Sequence, residues 1–359
     1  MKKLSKRRRI ALAVLCGLLL LAAGLCFLGT ALLSRLPASQ YAAERWAGDG
    51  ETPFRQLSCY IPVDEALDIS QIYAFRYKIL DQLHEAGFEA DTDTLLFRDC
   101  WSVSGKLMAS SELGRGEVSV IAVGGDFFHF HPLRLLSGSY LTEDDLMKDR
   151  VLLDEETAWL LFGGTDLTGM EMKLNGFPFV VSGVVEREQD FASRRAYTAG
   201  RGIYMSFDAY TQLKEEAGAT CYELVLAEPV KDFTESFVRE KFFIGHGEIV
   251  VNSQRFSFGR VLGLLGQFGQ RSMQRLGVIY PYWENAARCL EDYCALLTLL
   301  GLLCLAFPAI LCLILLVKGL RRGKEKLSAE LLPRIRDKAE EAVRKQQRKR
   351  WEKKHPGET

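Results

Sequence analysis

The chain contains 359 residues, 48% of them hydrophobic, and its 46 basic residues balance its 46 acidic residues. The charge is uneven: the first nine residues include six basic ones, and the segment from Lys318 onward has 15 basic and 7 acidic residues, which leaves a net charge of −14 for the rest. An acidic central part cannot neutralise phosphates, which excludes a nucleic-acid-binding role for it.

Two long uncharged runs, residues 10–33 and 293–317, are predicted to cross a membrane. At about 1.5 Å per residue, each helix would reach roughly 36 Å, enough for a hydrocarbon layer of about 30 Å. The first run is long for the apolar core of a cleaved signal peptide, so an uncleaved anchor is favoured. Basic residues precede the first run and follow the second, which predicts a two-pass protein of the cell (plasma) membrane with both termini cytoplasmic and the central domain extracytoplasmic.

These patterns divide the chain into five parts. They are a basic cytoplasmic N-terminus (1–9), a first transmembrane helix (10–34), an extracytoplasmic domain (35–290), a second transmembrane helix (291–318), and a basic cytoplasmic tail that is predicted to be helical (319–359). Inside the extracytoplasmic domain, a β-rich lobe is predicted at about 126–190.

Small residues and one proline mark the two apolar runs. Gly17, Gly24 and Ala31 recur every seven residues near one helical face, where they would let another helix approach closely. That helix could be the second run or another subunit. Pro308 could kink the second run because proline removes a backbone donor. Neither run contains an ionisable residue, which argues against an ion path formed by this chain alone.

The first part of the central domain is predicted to read strand, helix, strand, strand. The first strand is residues 54–61. Asp68 or Ser70 can cap the helix that follows, in which apolar residues recur every three to four positions, and Gly87 suits its end. Residues 93–103 and 116–123 are the next two strands.

The middle and last parts mix short strands with short helices. Residues 150–154 predict a strand, 155–162 a helix, and 170–174 with 177–185 a hairpin around Asn175-Gly176. Further strands are expected at 202–206, 222–227 and 248–252, and helices at 207–217 and 231–243. Together these predict an α+β domain between two transmembrane helices, with a split α/β lobe from the first and last thirds and a β-rich lobe inserted in the middle.

Motifs for catalysis are scarce. The sharpest candidates for a metal site are His129 and His131, with a third ligand from Asp126 or Asp144, but packing or surface histidines are the favoured interpretation. We therefore predict no catalytic, cofactor or metal site. Outside the apolar runs, Cys59, Cys100, Cys221 and Cys289 are widely spaced without a CxxC pair. Either buried free thiols or one disulfide of unknown connectivity would fit.

The basic tail, residues 325–354, is predicted to form an amphipathic helix. Its apolar residues recur every four positions, and its end is strongly basic. It could dock on an ATPase or on anionic lipid headgroups, or it could be a solvated helix that only enforces topology.

A series of short motifs resembles a known family. The run Gly125-Asp126-Phe127-Phe128 and the segments 133–138, 141–145, 150–153, 161–164, 167–169, 174–179 and 181–185 resemble the extracytoplasmic (periplasmic) core domain of MacB/FtsX-type ABC transporter permeases. Their order and spacing carry the resemblance, and a weaker match covers roughly 54–252. The resemblance implies structural roles for Gly125, Asp126, Phe127, Phe128, Gly138, Gly163, Gly169, Asn175, Gly176 and Gly183.

Two departures from this family shape the functional expectation. Family permeases typically carry three membrane helices after the outer domain, whereas this chain has one such run, and it lacks the GxxxxGK[ST] motif of an ATPase. By resemblance, the chain is a reduced, non-enzymatic membrane subunit of an ABC transporter or mechanotransmission complex. It would need a separate ABC ATPase and further permease subunits, in a homo- or hetero-oligomer. The alternative is a membrane-anchored extracytoplasmic sensor or adaptor without a transport role.

Overall fold

The computed structural model of the chain describes residues 5–48, 50, 52–87, 96–197, 202–214, 217–267, 277–326 and 332–354. The chain divides into two compact units, Met1–Phe27 with Leu299–Thr359 and Leu28–Thr298. The second unit contains the sheet and the short helices.

The described residues form eleven α-helices and three 3₁₀ helices. The α-helices are α1 (Lys6–Leu33), α2 (Ala42–Ala47), α3 (Ile69–Glu85), α4 (Phe127–Phe130), α5 (Glu155–Phe162), α6 (Phe191–Ala196), α7 (Phe207–Leu213), α8 (Phe233–Lys241), α9 (Phe258–Leu264), α10 (Tyr282–Lys326) and α11 (Leu332–Lys354). The 3₁₀ helices are Ala38–Tyr41, Val63–Glu65 and Asn252–Gln254.

Ten described strands form one mixed sheet. They are β1 (Phe54–Tyr60), β2 (Phe97–Ser110), β3 (Arg115–Gly125), β4 (Arg134–Gly138), β5 (Arg150–Asp154), β6 (Glu171–Leu174), β7 (Phe177–Glu186), β8 (Gly202–Ser206), β9 (Cys221–Ala227) and β10 (Glu248–Val251). The order is β10-β1-β9-β2-β3-β8-β5-β7-β4, and β6 pairs with β2 and β7. Two pairings, β3 with β8 and β5 with β7, are parallel.

The strand order confirms the predicted α+β class. Strands β10, β1 and β9, from the first and last parts of the chain, lie together at one end of the sheet, and β4, β5 and β7 lie at the other. The split lobe and the inserted strands therefore share one continuous sheet.

Local sequence signals account for several elements. Asp68 accepts a hydrogen bond from the Ser70 amide and Gln71 completes the capping box, so α3 begins where the cap predicts. The helix at Glu155–Phe162 has the predicted bounds. Asn175 and Gly176 both have positive φ and join β6 to β7, as a two-residue hairpin turn requires.

Other boundaries differ from the prediction. The strand expected at 93–103 begins, within the described residues, at Phe97 and continues to Ser110. Its residues 93–95 lie outside the described part. The helix that contains the second apolar run, predicted as a transmembrane helix at 291–318, begins earlier, at Tyr282, and extends to Lys326 as α10. The tail helix is described over Leu332–Lys354.

The sheet carries a hydrophobic core on each face. Side chains alternate along β9, so Tyr222 joins the core covered by α3 and α8, whereas Cys221 joins the core covered by α4 and the start of α10. Phe127, Leu133 and Trp283 are buried in the second core. This second face positions the candidate site.

Helices α1 and α10 are each long and apolar enough to cross a membrane. The central domain therefore lies between two such helices, as the sequence predicts. Within the unit of residues 1–27 and 299–359, a Cβ at Gly301 would lie 3.1 Å from the Phe27 ring, so the two helices touch there.

Candidate functional site

A buried charged cluster, which we call the anchor, lies where α10 begins. It consists of Gln40, Tyr60, Arg255, Glu284 and Glu291, all of which are buried. Glu284 and Glu291 are seven residues apart in α10, which places them on one face of the helix. The anchor therefore collects side chains from the connector after α1, from β1, from the segment after β10, and from α10.

Arg255 holds the anchor together. Its Nη1 and Nη2 donate to Glu284 at 2.6 and 2.7 Å, and its Nε and Nη2 donate to Glu291 at 2.8 and 3.2 Å. Its Nη1 also donates to Gln40 Oε1 at 3.0 Å. One guanidinium thus joins two points of α10, about two turns apart, to the connector that follows α1.

A second arginine extends the anchor to the sheet edge. Arg288 Nε donates to Glu284 Oε1 at 2.6 Å, and its Nη2 donates to Glu248 Oε1 at 2.9 Å. The Arg288 guanidinium also lies 3.8 Å from the Tyr280 ring centroid. Glu284 accepts a further bond from the Tyr60 hydroxyl at 3.0 Å, so its carboxylate is contacted by three side chains.

The electrostatics of the anchor favour the charged forms of Glu284 and Arg255. Burial alone would raise the pKa of Glu284, but the charges and hydrogen bonds of Arg255 and Arg288 lower it below its usual value. Burial alone would lower the pKa of Arg255, and the carboxylates of Glu284 and Glu291 raise it well above its usual value. The anchor is therefore a compensated ion-pair network at neutral pH.

Hydrogen bonds connect the anchor to the sheet. Gln40 Oε1 also accepts from Asn252 Nδ2 at 2.8 Å, and Asn252 Oδ1 lies 3.1 Å from the Ser58 hydroxyl on β1. Gln56, also on β1, accepts from the Ala42 amide at 2.9 Å and donates to the Ser39 carbonyl at 2.7 Å. The connector after α1 and the start of α10 are thus fixed to the same strand.

The end of α1 also packs directly against α10. Leu33 contacts a small cluster that includes Ala286 and Leu290, and the Cys294 thiol donates to the Thr30 carbonyl at 3.7 Å. A Cβ at Gly29 would lie 3.2 Å from Leu297. Within the unit 28–298, the end of α1 and the beginning of α10 therefore pack together in one region beside the anchor.

A cavity of about 510 Å³ lies beside this region. Its floor is formed by the sheet, including Ser102 and Tyr204, and its wall by Tyr280 and Tyr282 at the start of α10. Tyr282 is hydrogen-bonded to Glu188 at 3.0 Å and lies 3.2 Å, hydroxyl to hydroxyl, from Tyr204. The volume falls in the range of small-molecule sites.

Comparison with known proteins decides the family of the domain. Residues 90–234 match the MacB-like periplasmic core domain. The chain carries a MacB-like periplasmic core domain. The resemblance to MacB/FtsX-type ABC transporter permeases is thereby confirmed.

Solved structures to which the chain is similar include domains of three other proteins. The periplasmic region of MacB from Actinobacillus actinomycetemcomitans is 14% identical, with 61% of this chain and 94% of that chain covered and a TM-score of 0.39. The extracellular domain of the noncanonic ABC-type transporter YknZ from Gram-positive bacteria is 14% identical (53% and 89% covered, TM-score 0.35). A domain of a putative permease protein from Porphyromonas gingivalis is 11% identical (56% and 92%, TM-score 0.33). No curated protein matches the chain.

The motif glycines of the MacB-like domain occupy demanding backbone positions. The residues with positive φ include Gly125, Gly138, Gly163, Gly169, Asn175 and Gly176. A Cβ at Gly183 would overlap the Ser137 carbonyl across the β4–β7 pair, so this glycine permits a close strand approach. Most of these positions need glycine or asparagine for backbone reasons, while their roles as family motif residues stay predictions.

The other motif residues pack at the middle of the sheet. Asp126 forms an ion pair with Arg98 at 2.7 Å. Phe127 is buried in the second core, and Phe128 stacks on Tyr140 with ring centroids 4.8 Å apart. Both phenylalanines thus pack in the second core, while their structural role as family motif residues stays a prediction.

The two histidines that the sequence offered as joint metal ligands have different surroundings in the structure. His131 is buried and its Nε2 contacts Glu223. His129 lies against Trp46, with ring centroids 5.4 Å apart. Asp126 is paired with Arg98, and Asp144 is exposed. Among the residues described, His129 and His131 do not share a set of potential metal ligands.

The small residues predicted for helix packing lie on a different face of α1 from the one that meets α10. Gly17 and Gly24 have open space where a Cβ would be, and Ala31 is exposed. Contact with α10 uses the neighbouring positions Phe27 and Gly29. Packing of Gly17, Gly24 and Ala31 against another subunit stays a prediction. Pro308 lies inside the continuous helix α10.

The sequence analysis missed the anchor. A signal exists in Glu284, Arg288 and Glu291, which are spaced four and three residues apart just before the second apolar run. Charged residues on one helix face next to a membrane run fit either a buried charged partner or exposure to solvent. Nothing near Arg255 in the sequence identifies that partner, because it is 29 residues from Glu284.

Proposed function

We propose that this chain is a non-enzymatic, two-span membrane subunit of an ABC transporter or mechanotransmission complex. It would couple a separate cytoplasmic ATPase to an extracytoplasmic partner or substrate. The observation that carries the proposal is α10, one uninterrupted helix from Tyr282 to Lys326 that contains both the anchor residues and the second apolar run.

Continuity of α10 supports transmission of movement. A hydrogen-bonded helix resists bending, and the two contacts of Arg255 with Glu284 and Glu291 fix its first turns. The same arginine reaches Gln40 in the connector after α1. A displacement of either long helix would therefore act on one buried point and pass from there to β1.

The partners follow from what the chain carries. Basic residues outside both apolar runs support cytoplasmic termini, with the MacB-like domain on the opposite side of the cell membrane. The sequence has no P-loop motif, so the energy would come from a separate ABC ATPase. With two candidate spans, further permease subunits would complete the membrane part.

Co-purification tests this proposal. An affinity-tagged full-length chain is expressed in its own host, crosslinked in intact cells, solubilised in mild detergent and analysed by mass spectrometry. We expect an ABC ATPase and a multi-span membrane protein to be enriched over an unrelated tagged two-span protein. Recovery of neither under crosslinking would refute the assignment and favour the sensor or adaptor alternative.

A second measurement tests the role of the anchor. Arg255→Met should leave the ATPase co-purifying but abolish any nucleotide-dependent change in thiol labelling at Ser104→Cys, an exposed position on β2. Arg239→Ala, which breaks an exposed pair with Glu235, is the matched control and should retain that change. Equal nucleotide responses in the two variants would show that the anchor does not transmit movement.

A further inference from the structure

Three neighbouring strands place a row of polar side chains under α4. In the sheet register, Ser58 of β1 and Cys100 of β2 both lie directly opposite Glu223 of β9, on the same face. His131, which follows α4, reaches the same point, and its Nε2 contacts Glu223 Oε2. The Cys100 thiol lies 3.9 Å from that oxygen. All four side chains are buried.

The Glu223 carboxylate lacks a permanent positive partner. Its polar contacts in the described chain are Ser58, Cys100 and His131, and no arginine or lysine among those residues forms an ion pair with it. Burial of a carboxylate is costly unless a cation or several hydrogen bonds compensate it. The anchor, by contrast, supplies Arg255 and Arg288 to its own carboxylates.

We propose that Cys100, His131 and Glu223 bind a divalent transition metal ion of the zinc class. The three donor atoms lie within 4.8 Å of one another. Zinc accepts sulfur, imidazole nitrogen and carboxylate oxygen at about 2.0–2.3 Å, so donors that share it lie about 3.3–3.7 Å apart. Metal binding would require the three donors to move to those separations, and a water molecule can take the fourth position.

The surroundings of the three ligands are already ordered. The Ser58 hydroxyl donates to Glu223 Oε1 at 2.7 Å, which leaves Oε2 directed toward His131 and Cys100. The His131 ring lies between Phe127 and Trp283, with centroid distances of 4.4 and 4.3 Å. Such outer contacts fix the orientation of ligands in metal sites.

The expected role of the ion is structural. It would join β2 and β9 to the segment after α4, directly under Trp283 of α10. Metal binding that joins separate segments of a chain contributes to folding stability. This inference is independent of the proposed coupling function, because metal binding is measured on the isolated chain.

Metal content of the purified full-length protein tests the site. The chain is treated with a chelator in detergent, reloaded with ZnCl₂, separated from free metal and analysed for zinc by mass spectrometry. Wild type should retain about one equivalent more zinc than Cys100→Ser and Glu223→Gln, with affinity weakened at least tenfold in each variant. Cys59→Ser, a buried thiol in the opposite core, should behave like wild type.

Two further readouts separate ligation from a general loss of structure. Metal-free circular dichroism establishes that each variant is folded, and Glu223→Gln decides the question if Cys100→Ser is not. Zinc should raise the melting temperature of wild type and Cys59→Ser but not of the ligand variants, and Co²⁺ should give a thiolate absorption band that Cys100→Ser lacks. Equal zinc content in wild type and both ligand variants, or no zinc in wild type, would overturn the proposal and leave a simple His131–Glu223 hydrogen bond.

Discussion

Replacement of Arg255 by methionine should strongly destabilise the domain. Arg255 is buried and donates five hydrogen bonds, two to Glu284, two to Glu291 and one to Gln40. Methionine retains much of the volume but leaves two buried carboxylates with less compensation. Removal of one partner from a buried ion-pair network costs about 3–5 kcal/mol.

Arg288 and Tyr60 limit this loss at Glu284. They still donate to its carboxylate at 2.6 and 3.0 Å after the substitution. Glu291 loses both hydrogen bonds that Arg255 donates to it. At roughly 2–4 °C per kcal/mol for a domain of this size, the melting temperature should fall by roughly 6–20 °C.

Thermal unfolding of the full-length protein in detergent, followed by tryptophan fluorescence, measures this effect. Trp283 lies beside Glu284 in α10 and is buried, so its emission reports on the region. The exposed pair of Arg239 and Glu235 supplies the control, since Arg239→Ala should cost less than about 0.5 kcal/mol. The triple substitution Arg255→Met, Glu284→Gln, Glu291→Gln should recover part of the loss. A loss below about 1 kcal/mol for Arg255→Met alone would refute the reasoning.

Three other predictions follow from the fold. Gly183→Ala should destabilise by about 1–3 kcal/mol in thermal unfolding because its Cβ overlaps the Ser137 carbonyl, whereas Gly164→Ala, which has open space, should be nearly neutral. The lowered pKa of Glu284 means that its stabilisation is present above the ordinary glutamate pKa of about 4.3 and is lost as pH falls below it. Glu284→Gln should therefore flatten the decline of stability below pH about 5, and an unchanged slope would contradict the assigned ion pair. In intact cells, an impermeant maleimide should label Leu113→Cys, at an exposed loop position, but not Lys338→Cys in α11, and the reverse pattern would invert the proposed topology.

Elements with local signals could be predicted from the sequence. The cap at Asp68, the hairpin at Asn175-Gly176 and the helix at Glu155–Phe162 each depend on residues within a few positions of one another. Backbone conformation and short-range hydrogen bonds decide such features. The two apolar helices are predictable for the same reason, because length and composition suffice.

The polar clusters could not be predicted in the same way. Gln40 and Arg255 are 215 residues apart in the chain, and Cys100 and Glu223 are 123 apart. Their contacts exist only because β1, β9 and β2 are adjacent in the sheet. Strand order is a tertiary property, and neither the spacing of cysteines nor that of charges reveals it.

The position of β1 in the sheet has a consequence for how the protein is made. Its described partners are β9 and β10, so the strand at Phe54–Tyr60 cannot pair with β9 until Cys221–Ala227 has been synthesised. At about 5–20 residues per second, that interval of 173 residues lasts roughly 9–35 s. During synthesis, an unpaired strand with six buried positions is open to aggregation for this time. Biogenesis of the domain should therefore depend on folding helpers more than its final stability does.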